Sequence, residues 1–431
     1  MLNPDKVHRR EGSFWVSRTN FDPEVTSQFD WPQPLLIIDS TLRKMLFTAG
    51  ALTTMDGFVR VAEALAEAGV KHESLNINWA GGPAPIPREL ALVKAIAGRD
   101  FGFELNVYAD TLLSDGQNRQ PVSARETAMV LRDLGVRTLG VGIVQAPSAD
   151  AQQRQIDELA AYFEMVRELG MQSTVTLARV GWRDFDSMVQ MSNEAIKLGA
   201  LRMDLMDSSS SLNPEAMKVF VRRYRQGLVK EVPVTMHMHD DFGLATAGAL
   251  AAATVGASPD VSVAGVSYRC GFAPLEEVVV SLEVLYGVDT GIKVDRLQPL
   301  ADLVAKETGV PLPPLKPLVG GYAYLRHMPG DVLSCLRNGV DAFPPPAACV
   351  HASVIGSQMT WVWDSLSTDA NVRALAATLG ETLTEEELPV VRAALDGAVE
   401  RITAYPRWLT AEQATEICRR AINSVRQVPA G

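Results

Sequence analysis

Strand-like and helix-like stretches alternate along most of this chain, and that alternation restricts the fold more than any other feature. Leu35-Leu36-Ile37-Ile38-Asp39 is a run of branched residues that reads as a strand. Residues 55–68 then repeat apolar side chains at helical spacing and stop at Gly69. The same pair recurs. Further strands are predicted near 73–78, 102–108, 137–143, 171–178, 201–206, 232–237 and 259–266, with helices near 87–97, 122–134, 150–169, 184–198, 214–227, 243–255 and 274–286. Eight such units in about 250 residues suit parallel strands closed into a (β/α)8 TIM barrel. A doubly wound open sheet competes with it, but no GxGxxG follows the first strand.

The expected division is an N-terminal arm over 1–33, the barrel over 34–290 and a mainly helical C-terminal region over 291–431. Pro311-Leu312-Pro313-Pro314 and Phe343-Pro344-Pro345-Pro346 mark connections in that last region, and Thr384-Glu385-Glu386-Glu387 reads as a helix start. A content of 47% hydrophobic residues in 431 provides for a sizeable core and argues against disorder. The formal charge of −11 leaves no basic field for nucleic acid or an anionic membrane, so anionic substrates must be met by local arginines or a metal. Cys270, Cys335, Cys349 and Cys418 have no CxxC spacing, which suggests free thiols in a reducing compartment. Residues 1–12 lack an apolar signal core, and the longest run of small apolar residues, 247–257, is too short to span a bilayer. A cytoplasmic location is expected.

In a barrel, catalytic groups sit where strands end at the C-terminal face. Polar clusters fall at those places: Asp39-Ser40-Thr41-Leu42-Arg43-Lys44, Asn76-Ile77-Asn78, Asp207-Ser208, and Tyr268-Arg269-Cys270. Most telling is Met236-His237-Met238-His239-Asp240-Asp241. Two imidazoles at i and i+2 on a strand point to one face, and beside an acidic pair they could hold a divalent metal with positions open for substrate. Polar residues that merely close a strand are the alternative.

Asp39-Ser40-Thr41-Leu42-Arg43 resembles the D-[ST]-T-L-R opening of the metal-dependent barrel family that holds isopropylmalate, homocitrate and citramalate synthases and the hydroxymethylglutaryl-CoA and 4-hydroxy-2-oxovalerate lyases. His237-Met238-His239-Asp240-Asp241-Phe242-Gly243-Leu244-Ala245 is similar to its H-x-H-[ND]-D-x-G-L-A signature, and Gly271-Phe272-Ala273-Pro274-Leu275-Glu276-Glu277 to its G-N-A-x-L-E-E turn. Lys316-Pro317-Leu318-Val319-Gly320 resembles a segment that the synthases carry after the barrel and the lyases lack.

The resemblance implies a Claisen-type condensation of an acyl-CoA, with acetyl-CoA the first choice, and a 2-oxo acid, run by a homodimer whose C-terminal region covers the partner's site. It implies a divalent cation (Mg, Mn or Zn) on His237 and His239. Catalytic roles are expected for Arg43, Lys44, Asp39 and His327, and substrate contacts from Thr41, Asn76, Asn78, Ser208 and Arg269. Arg43 would stabilise the developing oxyanion, since arginine stays charged and presents a planar fork of donors. A carbon–carbon lyase or aldolase of the same family is the first alternative, and an inactive paralogue acting as a binding subunit is the second.

Two departures bear on the chemistry. The family's metal-ligating aspartate after L-R is Lys44 here, and its asparagine after the eighth strand is Phe272. Three readings follow: another carboxylate such as Asp39 supplies the ligand, Lys44 works as a fixed charge or an amine without metal, or activity is lost. A fixed cation beside the substrate is the expected role of Lys44.

Overall fold

The computed structural model describes residues 1–77, 86–109 and 124–427. Eight parallel strands close into a barrel: β1 (Ile38–Asp39), β2 (His72–Ile77), β3 (Glu104–Ala109), β4 (Thr138–Ile143), β5 (Gln172–Ala178), β6 (Met203–Asp207), β7 (Val234–Met238) and β8 (Ser258–Val261). They follow one another around the ring in chain order. β8 closes it against β1, with Asp260 opposite Ile38 and Val261 opposite Asp39.

The helices between strands show why the alternation was readable. Helix Met55–Glu67 buries Phe58, Val61, Ala62 and Leu65, one face at i, i+3, i+4 and i+7, and the Thr54 hydroxyl caps it by accepting from Gly57 N at 3.0 Å. Phe58, Val61 and Leu65 each contribute about 1.5–3 kcal/mol on burial. Helix Pro214–Gly227 keeps the expected bounds because Asn213 accepts from Ala216 N at 2.7 Å and Pro214 suits a first turn. Helix Ala245–Ala253 is built from small residues and lies close on β7. A Cβ added at Gly248 would come within 2.1 Å of Met238 Cε.

Several boundaries differ from expectation, three of them for evident local reasons. Strand β1 covers only 38–39, since Leu36 N donates to the Ser258 hydroxyl at 3.0 Å instead of a ladder partner. Strand β3 begins at Glu104, after Gly102 has turned the chain at a φ of +74°. Strand β8 ends at Val261, because Ala264, at a φ of 54°, turns the chain into a short 3-10 segment over Val263–Gly265. A short helix, Thr41–Phe47, follows β1 directly and buries Thr41, Leu42, Arg43, Lys44 and Met45. Among the described residues no helix is long and apolar enough to cross a membrane.

The chain divides into two compact units, one of residues 1–6 and 19–311, the other of residues 7–18 and 312–431. The first holds the barrel, helix Leu297–Thr308, and an edge-packed aromatic cluster of Phe29, Trp31 and Tyr286. In the second, strands Leu325–Arg326, Thr360–Trp363 and Leu409–Thr410 form a small sheet accompanied by helices Pro329–Asn338, Asp369–Thr378, Glu387–Glu400 and Ala411–Gln427. Phe14, fully buried, bridges to Val350 in that unit. Thr384 and Glu387 exchange backbone and side-chain hydrogen bonds at 2.9 and 3.2 Å, the reciprocal cap that the Thr-x-x-Glu spacing predicts.

Candidate active site at the barrel mouth

Strand register assembles the centre of the site. Asp260 stands opposite His237 across β8 and β7, and its Oδ2 lies 2.6 Å from Nδ1 of the imidazole. The carboxylate therefore accepts a hydrogen bond from Nδ1–H and leaves Nε2 as an acceptor. His239, immediately after β7, is oriented the same way, with Nδ1 donating to the Gly271 carbonyl at 3.0 Å. Gly271 presents that carbonyl at a φ of +98°, a conformation few side chains tolerate. Both rings are buried, and their centroids are 5.3 Å apart.

The short helix after β1 brings two cations to the same place. Arg43 donates to Asn76 Oδ1 at 3.2 Å and to the Ser40 hydroxyl at 2.9 Å, and pairs with Asp260 at 3.4 Å. The Ser40 hydroxyl donates to Asp260 Oδ1 at 2.6 Å. Arg43 Nε is buried and meets no acceptor among the described residues. Lys44, 3% exposed, places Nζ 3.3 Å from His237 Nε2, 4.5 Å from the Phe272 ring centre and 5.6 Å from that of Tyr268. No carboxylate forms an ion pair with Nζ among the described residues. Burial, then the Arg43 guanidinium, pushes the Lys44 amine well below the usual lysine range. Burial and the Lys44 charge likewise hold His237 well below the usual imidazole value and His239 down to about 4.

Asp39 is fully buried beside Glu73, its partner in the β1–β2 register. The backbone N–H and the hydroxyl of Thr41 occupy the Asp39 carboxylate oxygens at 2.8 and 2.9 Å, and Thr41 Oγ1 in turn accepts from Val263 N. Burial lifts Asp39 to about 6, and burial with the Asp39 charge holds Glu73 well above the ordinary range. Around the rim, Arg269 pairs with Asp241 at 3.0 Å and donates to the Ser208 carbonyl at 2.8 Å. These residues, with Arg179, Trp182, Ser209 and Tyr268, line a cavity of about 580 Å³.

Of the residues singled out in the sequence, Asp39, Thr41, Arg43, Lys44, Asn76, His237 and His239 thus converge, with Ser208 and Arg269 on the rim. His327 belongs to the C-terminal unit, where its Nδ1 lies 3.2 Å from Asp364 Oδ2. Asn78 lies outside the described residues. Sequence reasoning missed Asp260, the residue that ties His237, Ser40 and Arg43 together. Its only signal is a lone acid inside the run Ser258-Pro259-Asp260-Val261.

The donor set can be tested against a divalent ion. The outer hydrogen bonds suit one, since each imidazole donates a hydrogen bond through Nδ1–H and offers Nε2. The inner positions do not. Lys44 Nζ faces His237 Nε2, Phe272 packs against both rings at 4.3 and 5.5 Å, and Asp39 is committed to Thr41. Among the described residues no group of three or more His, Cys, Asp or Glu could hold a metal. The residues present therefore do not fit the ion.

A closed parallel barrel with titratable groups gathered at the C-terminal strand ends defines the TIM-barrel class. The chain belongs to the HMGL-like family, whose description matches residues 35–304. It is 32% identical over 302 residues to a putative (R)-citramalate synthase from Methanopyrus kandleri, covering 70% of this chain and 57% of that protein, so it spans little more than half of that relative's length. It is 26% identical over 369 residues to 2-isopropylmalate synthase 2 from Caldanaerobacter subterraneus, covering 84% of this chain and 91% of that one. Among solved structures, HMG-CoA lyase from Bacillus subtilis superposes with a TM-score of 0.52 at 16% identity, over 66% of this chain and 96% of the lyase. That likeness is one of fold.

Proposed function

We propose that this protein joins an acyl-CoA thioester, acetyl-CoA being the first to try, to the carbonyl carbon of a 2-oxo acid, with release of free CoA. The observation that carries this reading is the reach of the isopropylmalate synthase match, 84% of this chain against 66% for the lyase fold, which takes the likeness past the barrel. Arg43 supports it. Its guanidinium is fixed by Asn76, Ser40 and Asp260 and keeps one buried N–H for a substrate oxygen. A substrate carboxylate would enter past Arg269 and the rim cavity. His327, paired with Asp364, has the imidazole–carboxylate arrangement of a proton acceptor, and that role, like a homodimeric state and a cytoplasmic location, is part of the proposal.

The test is thiol release from acetyl-CoA in the presence of pyruvate, 2-oxoisovalerate or 2-oxoglutarate. Thiol formation that requires both partners is expected. Cleavage of 3-hydroxy-3-methylglutaryl-CoA without any condensation would favour the lyase instead.

A further inference from the structure

Two imidazoles are oriented as ligands to a cation, and what faces their open nitrogens is an amine. Asp260 and the Gly271 carbonyl hold His237 and His239 with Nε2 as acceptor, and Lys44 Nζ sits 3.3 Å from the first of these. We propose that the Lys44 ammonium is the electrophile of this site: it stands where a divalent ion would polarise the substrate carbonyl, and it gives that oxygen a proton as the new carbon–carbon bond forms.

Three observations carry the inference. The hydrogen-bonding frame of an imidazole pair aimed at a cation is intact, while the carboxylate that would complete a metal site is replaced by the lysine itself. Nζ lies over the faces of Phe272 and Tyr268, which hold a positive charge without neutralising it and leave N–H bonds for a ligand. The groups that face it are Arg43 on its own helix, His237, His239 and Asp260 on and after β7 and β8, and Arg269. Among them no anion forms an ion pair with it, so a bound 2-oxo acid would bring the missing negative charge.

The step balances without a co-reactant. The electron pair of the thioester enolate forms the bond to C2 of the 2-oxo acid, the C2=O π pair moves to oxygen, and that oxygen takes the proton from Nζ. The neutral amine regains a proton from solvent. Water then adds to the thioester carbonyl and the CoA thiol leaves. An iminium between Lys44 and C2 does not serve this reaction, because addition would leave nitrogen bonded to a fully substituted carbon that hydrolysis cannot free.

This inference rests on the proposed condensation, and the test separates the two. Wild-type protein incubated with Mn, Zn or Mg and passed through gel filtration should carry far less than one metal per chain, whereas Lys44→Asp should take metal up. Sodium borohydride with pyruvate or 2-oxoglutarate should leave no reduced adduct on Lys44. Lys44→Met, folded by circular dichroism, should lose thiol release by about 10²- to 10⁴-fold. Stoichiometric metal in the wild type, a reduced adduct on Lys44, or undiminished turnover in Lys44→Met would each overturn the inference. If the wild type is metal-free and adduct-free but releases no thiol with any 2-oxo acid, the condensation fails and the proton transfer falls with it, while the exchange of metal for lysine stands.

Discussion

Asp260 and His237 face each other across adjacent parallel strands, with Oδ2 of the carboxylate 2.6 Å from Nδ1 of the imidazole. The same carboxylate pairs with Arg43, so one buried anion fixes a ring tautomer and offsets a guanidinium. Asp260→Asn keeps the shape and removes the charge. Breaking a buried pair on one side costs about 3–5 kcal/mol, and urea unfolding should show a loss of that order. A loss under about 1 kcal/mol, the size of an exposed pair, would mean that Asp260 does not hold the cluster together.

Arg43→Lys tests the fork rather than the charge. The lysine keeps a cation but cannot reach Asn76, Ser40 and a substrate oxygen together. Thiol release should fall by about two orders of magnitude, as loss of an oxyanion donor does, with the unfolding midpoint little changed. Unaltered turnover in the folded variant would take Arg43 out of the reaction.

Asp39 gives a pH signature. Its carboxyl titrates at about 6 in the fold against 3.8 in the unfolded chain, so between those values the folded state holds the extra proton. Ionised Asp39 therefore costs stability, a penalty absent below pH 3.8 and complete above 6. Relative to Asp39→Asn, the wild type should lose stability on the order of 3 kcal/mol as pH rises through that window. Urea titrations of both proteins at pH 4 and 7 measure it, and a constant difference between them would place Asp39 in a less costly environment.

The barrel was legible because each unit declares itself locally: Asn213 and Pro214 start a helix at the residue the pattern predicts, and Thr384 with Glu387 caps another. The site was legible where motif residues cluster in sequence, as Arg43, Lys44, His237 and His239 do. Asp260 was not, because an acid in an apolar run says nothing of its partner until strand register sets it opposite His237. The helix over Thr41–Phe47 was also missed. It is barely two turns long, and its Arg43 and Lys44 are buried in the site rather than spaced as a solvated face.

Closure of the ring by β8 against β1 joins residues some 220 positions apart, through no more than two register pairs. Arg43 and Lys44 follow β1, Asp260 lies on β8 and the imidazoles on and after β7, so the groups of the candidate site meet only while that seam is closed. A long-range junction held by so few pairs is a candidate for local opening below the global transition. In dilute denaturant, turnover should vanish while the helical signal is still whole, which makes catalysis itself a reporter of whether the ring is shut.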